Sequence, residues 1–395
     1  MAKTPAAVDA FLGQLVGPTR AKAATEAADI QAMIKTDGAA FQLEPWDWDH
    51  YAEQVRKARY DLDETQIKPY FQLETVLTDG VFYAANQLYG VTFTRRTDLP
   101  TYQPDVMVFE VHDKDGSILG LMYFDYFKRD NKSGGAWMSE FVGQSKLLGT
   151  KPVVYNVANF TKPAPGQPAL ITFEDVTTMF HEFGHALHGL FADEVYPSLS
   201  GTNVARDFVE FPSQFNEHWA LDPKVLAHYA RDYKTGAPMP QTLVDKIRKA
   251  QTFNQGYRLG ELLAAAELDL QWHTLAPGAA QKAPDAFEQA ALKRTGTDFP
   301  DVPPRYRSSY FSHIWAGGYA AGYYAYLWTE MLDDDAYAWF EAHGGLTRAN
   351  GQRFRDLILS RGHTEDYGPM FRAFYGQDPN IGPLLEHRGL PPSGR

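Results

Sequence analysis

Apolar side chains recur at intervals of three and four between positions 172 and 190, which is the pattern of an amphipathic helix. Five of them form one stripe: Val176, Phe180, Phe183, Leu187 and Leu190. Thr172 and Asp175 are three residues apart, which is the spacing of a capping box at the start of a helix. The pattern therefore predicts a helix that begins at about residue 173 and buries one face.

Helical patterning also dominates both ends of the chain. Thr4 and Pro5 are a helix-start signal, and the alanine-rich run that follows predicts a long helix to Lys35, with Gly17-Pro18 as a candidate break. Two further helices are predicted, over residues 49–59 and 67–88. Beyond position 190 the pattern is helical almost to the C-terminus.

A period of two between apolar and polar residues, typical of half-buried strands, begins near Pro104. It predicts a strand over residues 107–111, a turn at Asp115-Gly116 and a return strand over 118–126. Residues 153–159 are predicted as a third strand. The sequence thus predicts a mainly α-helical fold with one small, largely antiparallel β-sheet.

Composition and charge narrow the classes of function. The 395 residues are 44% hydrophobic and 14% aromatic, as in a folded globular protein with a large core. The net charge of −12 argues against nucleic acid or an anionic membrane as partner, because both bind basic surfaces. No apolar run approaches the roughly 20 residues that span a bilayer, and residues 1–5 lack the apolar core of a signal peptide. We therefore expect a cytoplasmic protein.

The predicted helix over residues 172–190 carries His181-Glu182-Phe183-Gly184-His185. Histidines four residues apart project from the same face of a helix, so both imidazoles can bind one Zn²⁺ while Glu182 acts on a nearby water. Since the chain has no cysteine, histidine and carboxylate must hold any zinc. The sequence predicts a metallohydrolase with one zinc per chain. The competing interpretation is a structural histidine pair.

Spacing alone leaves the third protein ligand of a catalytic zinc open. Phe191 occupies the position, six residues after His185, where a metzincin would have a histidine. The remaining candidates are carboxylates: Glu194, Asp207, Glu210 and Glu217. We expect Glu194 in a solvated loop, and Pro212 should kink a helix that extends from 206 to 217. Spacing favours Glu210 over Glu217 without excluding either.

Longer motifs around these residues resemble the thimet oligopeptidase family of zinc metallopeptidases and, within it, the bacterial dipeptidyl carboxypeptidases. The motifs are residues 132–137, 180–185, 201–202, 206–214, 303–310 and 313–328. The resemblance covers nearly the whole chain. It implies that Glu210 is the third zinc ligand and that the fold is a mainly helical, zincin-like catalytic domain with a substrate channel between two lobes.

The resemblance also implies an activity and further site residues. It implies a peptidyl-dipeptidase that removes C-terminal dipeptides from short peptides, with Glu182 as general base. Tyr319 and Tyr326 would bind substrate and the oxyanion, and His313 would be a further substrate contact. The alternatives are an endo-acting oligopeptidase of the same family and a non-catalytic, zinc-containing peptide-binding fragment.

A peptidyl-dipeptidase also has to bind the free carboxylate of its substrate and to align the peptide backbone. Arginine suits a carboxylate because it can donate two parallel hydrogen bonds. The candidates are Arg206, Arg305 and Arg307. The edge of the predicted strand over residues 153–159 is a hypothetical pairing site for the substrate backbone.

Family members are considerably longer than this chain, which resembles their C-terminal catalytic portion. A separate N-terminal lobe or chain is therefore an expected partner, besides short peptide substrates. Within one continuous catalytic domain we predict three parts. They are a helical scaffold lobe over residues 1–100, a β-sheet subdomain over 101–165 and a helical zinc-binding region over 166–395.

Overall fold

The computed structural model describes residues 1–279 and 283–391, and most of this structure is helical. The α-helices are α1 (Pro5–Thr36), α2 (Trp48–Tyr60), α3 (Glu64–Ile67), α4 (Leu73–Thr75), α5 (Phe82–Tyr89), α6 (Phe173–Leu190), α7 (Arg206–Val209), α8 (Phe211–Glu217), α9 (Pro223–Tyr229), α10 (Gln241–Ala250), α11 (Gln255–His273), α12 (Pro284–Thr295), α13 (Ser312–Trp315), α14 (Ala325–Ala342), α15 (Arg348–Phe354), α16 (Tyr367–Tyr375) and α17 (Gly382–His387). Within the described ranges, no helix combines the length and the apolar character needed to cross a bilayer.

A mixed β-sheet accompanies the helices. Its strands are β1 (Thr92–Arg95), β2 (Met107–His112), β3 (Ile118–Phe127), β4 (Trp137–Val142) and β5 (Val153–Phe160). In the described residues they lie in the order β1-β2-β3-β5-β4. Neighbouring strands are antiparallel except β3 and β5, which are parallel. The predicted class of a mainly helical chain with one small sheet is confirmed, and the sheet is mixed rather than purely antiparallel.

The position of β5 contradicts the hypothesis that this strand offers a free edge to substrate. Tyr155 pairs with Tyr123 of β3 on one side and with Ser139 of β4 on the other, so β5 lies inside the sheet. The outer strand on this side is β4. Sequence reasoning missed β4 because its residues are partly or fully exposed without alternation, which leaves no period-two pattern to detect.

The chain forms two compact units, and each is assembled from separate segments. Unit 1 contains Met1–Leu62, Asp245–Met331 and Asn380–Arg395, and unit 2 contains Asp63–Val244 and Leu332–Pro379. The three-part division into residues 1–100, 101–165 and 166–395 stays a prediction about domain organisation.

In unit 1, helix α1 continues without interruption through Pro18, so the candidate break there is wrong. Leu15 and Thr19 on either side are fully buried, and the Thr19 hydroxyl donates to the Leu15 carbonyl. An interior proline costs a helix about 3 kcal/mol, and burial of this helix face offsets that cost. Glu26 of α1 accepts hydrogen bonds from the backbone N–H groups of Gly256 and Tyr257 at the start of α11, which fastens the two helices together.

The other predicted helices are confirmed in part. The helix predicted over residues 49–59 is α2. Only part of the run predicted over 67–88 is regular α-helix, because Lys68–Tyr70 is a 3₁₀ turn and Val76–Val81 is π-helical between α4 and α5. The interruption coincides with Gly80, where a β-carbon would lie 3.0 Å from the ring of Tyr229. Gly80 thus packs closely against Tyr229 of α9 within the π-helical segment.

In unit 2, helix α6 packs against the sheet. Phe183 of α6 contacts Phe93 of β1 and Phe124 of β3, with ring centroids 5.9 and 6.4 Å apart. Farther along α6, Gly189 faces Val154 of β5, whose side chain would lie 3.1 Å from an added β-carbon. These contacts pack the C-terminal half of α6 against the sheet.

Candidate metal centre

Helix α6 begins and is buried as its sequence predicts. The Thr172 hydroxyl accepts from the backbone of Asp175 at 3.1 Å, and the Asp175 carboxylate accepts from the backbone of Thr172 at 2.9 Å. The five stripe residues are at most 2% exposed: Val176, Phe180, Phe183, Leu187 and Leu190. The reciprocal cap satisfies two backbone donors that a helix start leaves unpaired, so His181 and His185 stand on a rigid element.

Glu210 lies at a break between two short helices. The backbone of Asp207 is not helical, α7 ends at Val209 and α8 begins at Phe211. Pro212 stands in the first turn of α8, where its missing N–H costs no hydrogen bond. Residues 206–217 therefore form two short helices and not one kinked helix, and Pro212 marks the start of the second. Glu210 lies at the junction between them.

The structure brings the two histidines and Glu210 together. Glu210 Oε2 lies 3.0 Å from His185 Nε2 and 3.2 Å from His181 Nε2, and the three ligand atoms lie within 4.8 Å of one another. Zinc bonds of 2.0–2.2 Å in a tetrahedron separate neighbouring ligand atoms by about 3.3–3.6 Å. The donor set of two nitrogens and one carboxylate oxygen suits a zinc ion, and the two oxygen–nitrogen distances lie only a few tenths of an ångström below that separation.

The geometry distinguishes the carboxylates that spacing left open. Glu217 Oε1 lies 2.6 Å from Nδ1 of His181, on the ring nitrogen that does not face Glu210. Glu194 is 3% exposed, so the expectation that it is solvated is wrong. Among the described residues, Glu210 is the carboxylate close enough to both histidines to bind the same metal ion. Glu194 and Asp207 do not belong to this group.

Three supporting residues escaped the sequence reasoning. The Ser213 hydroxyl lies 2.9 Å from the backbone carbonyl and 3.2 Å from the carboxylate of Glu210. Asn216 donates to the backbone carbonyl of Phe180 at 2.6 Å. A β-carbon on Gly184 would lie 2.6 Å from the Pro212 carbonyl oxygen. The sequence could have indicated Ser213, because it lies about one helical turn after Glu210. It could not indicate the other two contacts, because they join distant parts of the sequence.

Burial and charge act against each other in this cluster. Burial alone would raise the pKa of Glu210, but the adjacent His185 and His181 hold it well below its usual range. Burial lowers the pKa of His181, and its contacts with Glu210 and Glu217 outweigh that effect and raise it. An ionised carboxylate between two imidazoles is the charge arrangement that favours a cation.

Glu182 lies on the same helix and faces a different environment. It is buried, and its Oε2 has no hydrogen-bond partner among the described residues. Burial raises its pKa, the two histidines lower it, and Glu210 and Glu217 raise it further, with a net increase. The unpaired oxygen is itself buried, so this environment favours the protonated form of the Glu182 carboxyl group more than water does.

The tyrosines singled out in the sequence form an aromatic cluster in unit 1. The rings of Tyr319 and Tyr326 stack with centroids 5.4 Å apart and planes 10° apart. The His313 ring lies 5.9 Å from that of Tyr319 and 5.4 Å from that of Tyr323. Burial lowers the pKa of His313, and the charge of Arg305 lowers it further. The metal ligands belong to unit 2 and this cluster to unit 1.

The candidate arginines Arg305 and Arg307 are engaged in ion pairs. Arg305 contacts the carboxylate of Glu261 at 2.6 Å, and Arg307 pairs with the buried Glu288. Arg206 is the first residue of α7. These contacts do not single out any of the three arginines as the residue that binds a substrate carboxylate.

Comparison with known proteins identifies relatives along the whole chain. The model of peptidase family M3 matches residues 1–390. Dipeptidyl carboxypeptidase of Escherichia coli K12 is 57% identical over 390 residues, which are 99% of this chain and 57% of the relative. Oligopeptidase A of the same organism is 37% identical over 395 residues, 99% of this chain and 58% of the relative. The chain thus spans somewhat more than half the length of these curated relatives.

A solved structure shares the fold at low sequence identity. The M32 carboxypeptidase from Deinococcus radiodurans R1 is 15% identical, with a TM-score of 0.51. The match covers 96% of this chain and 65% of that one. This likeness concerns the fold alone.

Proposed function

Because this chain belongs to peptidase family M3, we propose that it is a zinc-dependent peptidyl-dipeptidase that removes C-terminal dipeptides from short peptides. The observation that carries the proposal is the convergence of His181 Nε2 and His185 Nε2 on one oxygen of Glu210. The 57% identity to a dipeptidyl carboxypeptidase, against 37% to an oligopeptidase, favours dipeptide release over internal cleavage.

In this proposal His181, His185 and Glu210 hold one Zn²⁺ in a zincin-like catalytic domain. When bound, the ion would supply Lewis acidity and lower the pKa of a water molecule to about 7. Glu217 would keep His181 in the tautomer whose Nε2 lone pair is free for the metal. Ser213 would hold the Glu210 carboxylate in its orientation.

Glu182 is the proposed general base. Its carboxylate would accept the proton of the attacking water and then deliver it to the nitrogen of the leaving dipeptide. A carboxyl group suits both halves of this transfer, because it accepts a proton when ionised and donates one when protonated.

The remaining assignments come from the family resemblance. Tyr319 and Tyr326 would donate hydrogen bonds to the oxyanion that forms at the scissile carbonyl, and His313 would contact substrate. The edge of β4 replaces that of β5 as the proposed pairing site for the substrate backbone. A cytoplasmic location and a separate N-terminal lobe or chain as partner stay predictions of the sequence.

The decisive experiment replaces Glu182 with Gln. We expect one zinc per chain by metal analysis in both proteins, and peptide hydrolysis only in the wild type. Glu174→Gln, an exposed position of the same helix, is the matched control and should hydrolyse normally. Full turnover by the Glu182 variant would show that another group is the base.

Substrates with free and amidated C-termini separate the rival functions. A peptidyl-dipeptidase should release dipeptides from the free acid and lose most of its activity on the amide. Equal cleavage of both would indicate an endo-acting oligopeptidase. Binding of both peptides without cleavage, in a chain that contains zinc, would indicate a non-catalytic peptide-binding fragment.

A further inference from the structure

Asp269, near the C-terminal end of α11, is fully engaged with a segment far along the chain. Its two carboxylate oxygens accept from the backbone N–H groups of Ala321 at 2.9 Å and Tyr323 at 2.8 Å. The ring of His273 lies 2.8 Å from the same carboxylate. All four residues belong to unit 1.

This arrangement carries a substantial cost. Asp269 is 1% exposed, and the burial of a charged carboxylate is unfavourable unless hydrogen bonds replace its water. Ala321 has a φ of +52°, and this left-handed conformation is unfavourable for a non-glycine residue. The carboxylate accepts the N–H of that strained residue. Its charge-assisted hydrogen bonds therefore stabilise a backbone geometry that the sequence alone would not adopt.

The turn that Asp269 holds lies between the two tyrosines proposed to bind the oxyanion. Tyr319 precedes it and Tyr326 follows it, with their rings stacked. The Tyr319 N–H donates to the backbone carbonyl of His313 at 2.9 Å. The relative placement of these side chains consequently depends on the path of the backbone through Ala321.

Building on the proposed function, we infer that Asp269 is a positioning residue for peptide hydrolysis, which fixes the backbone turn that orients Tyr319 and Tyr326. It acts through the turn and does not itself touch substrate. Misplacement of a catalytic group by about 1 Å can reduce turnover roughly 10²-fold, so loss of the clamp should affect kcat far more than KM.

The first test compares Asp269→Asn with the control Glu267→Gln. Asparagine has nearly the same shape, but its NH₂ group cannot accept a backbone hydrogen bond. Glu267 is a buried acid two residues away on the same helix, and Asp9 of α1 acts on its charge. We expect kcat to fall on the order of 10²-fold in the first variant and to stay within about twofold in the second. Equal kcat values would overturn the inference.

A second test uses the background in which Tyr319 and Tyr326 are both replaced by Phe. If Asp269 acts through these phenols, Asp269→Asn should add little further loss there, because effects transmitted through one unit are not additive. A full additional loss would show that Asp269 supports activity by a different route, and would refute the assignment.

Hydrogen exchange at the Ala321 and Tyr323 amides provides a readout independent of catalysis. Both amides should exchange faster in Asp269→Asn, and unchanged exchange would refute the clamp even if activity fell. A wild-type chain that contains zinc but cleaves no peptide would instead refute the proposed function, while exchange would still report on the clamp. If Asp269→Asn does not fold, His273→Ala, which removes one partner of the carboxylate, should give the same changes at smaller size.

Discussion

Glu217 lies on the opposite side of the His181 ring from Glu210, with its carboxylate 2.6 Å from Nδ1. A carboxylate at this nitrogen keeps a proton there and leaves Nε2 as the acceptor. Spacing presented Glu217 as a competitor of Glu210 for the metal. The structure gives the two residues complementary positions on the same imidazole.

Removal of the Glu217 carboxylate should therefore weaken metal binding without abolishing it. Glu217→Ala is expected to reduce zinc affinity about 10- to 100-fold, measured by competition with a chromogenic chelator. Glu217→Gln keeps an oxygen acceptor for Nδ1–H and should lose less. Glu174→Gln, on the exposed side of α6, should bind zinc as the wild type does. An unchanged affinity in Glu217→Ala would show that the ring needs no such support.

Gly184 is the second position where a small change should disturb the metal site. A β-carbon there would lie 2.6 Å from both Pro212 O and Ser213 Cα, and backbone atoms cannot move away without shifting α8. Gly184→Ala should therefore lower the free energy of unfolding by about 1–3 kcal/mol and weaken zinc binding, because Glu210 precedes α8.

The control for this variant is Gly13→Ala in α1. Nothing lies within 4 Å of the position that its β-carbon would take, so alanine should stabilise the helix by about 0.5–1 kcal/mol. Both effects can be measured by urea unfolding. If Gly184→Ala leaves the free energy of unfolding unchanged, α8 can move away from α6 at no cost in stability, and the prediction is wrong.

The capping box of α6 can be tested separately from the metal ligands. Thr172→Ala leaves the N–H of Asp175 without its acceptor, and should cost about 1 kcal/mol of stability. Thr172→Ser retains the hydroxyl and should be close to wild type. The midpoint of urea unfolding, recorded with zinc removed by chelator, provides the comparison. Equal midpoints for Ala and Ser would exclude a role for the cap.

Glu267 predicts a pH dependence of stability that does not involve the metal site. It is 4% exposed, and burial, reinforced by the charge of Asp9, raises its pKa from 4.5 to about 7. Between these pH values the folded chain binds a proton that the unfolded chain has released. Stability should consequently decrease as pH rises from about 4.5 to about 7, by about 3 kcal/mol from this group.

Glu267→Gln cannot ionise, so it should lack this decrease. The difference in free energy of unfolding between Glu267→Gln and wild type should therefore increase by about 3 kcal/mol in favour of the variant between pH 4.5 and pH 8. Urea unfolding across that pH range measures this difference. Asp9→Asn removes the negative charge that helps to raise the pKa of Glu267. In an otherwise wild-type chain it should make the loss of stability with rising pH smaller. Parallel pH profiles for wild type and Glu267→Gln would contradict the assignment.

The amino-acid sequence by itself determined the elements whose causes are local. The α6 cap depends on Thr172 and Asp175, three residues apart, and the burial of its stripe follows from the period of 3.6 residues. The two histidines had to share a helix face for the same reason. Strands β2 and β3 carry alternating patterns next to a turn signal, and they too were predictable from neighbours in the chain.

Tertiary structure decided the features that join distant segments. No local pattern could show that Glu210 faces Nε2 of His181 while Glu217 faces Nδ1, because both depend on how closely α8 approaches Gly184. The same is true of β4, which has no alternation, and of the left-handed Ala321, which its contact with Asp269 stabilises. Periodicity reports the interactions that a residue makes with its own helix or strand. Contacts between elements depend on packing, and packing is settled only when the whole chain has folded.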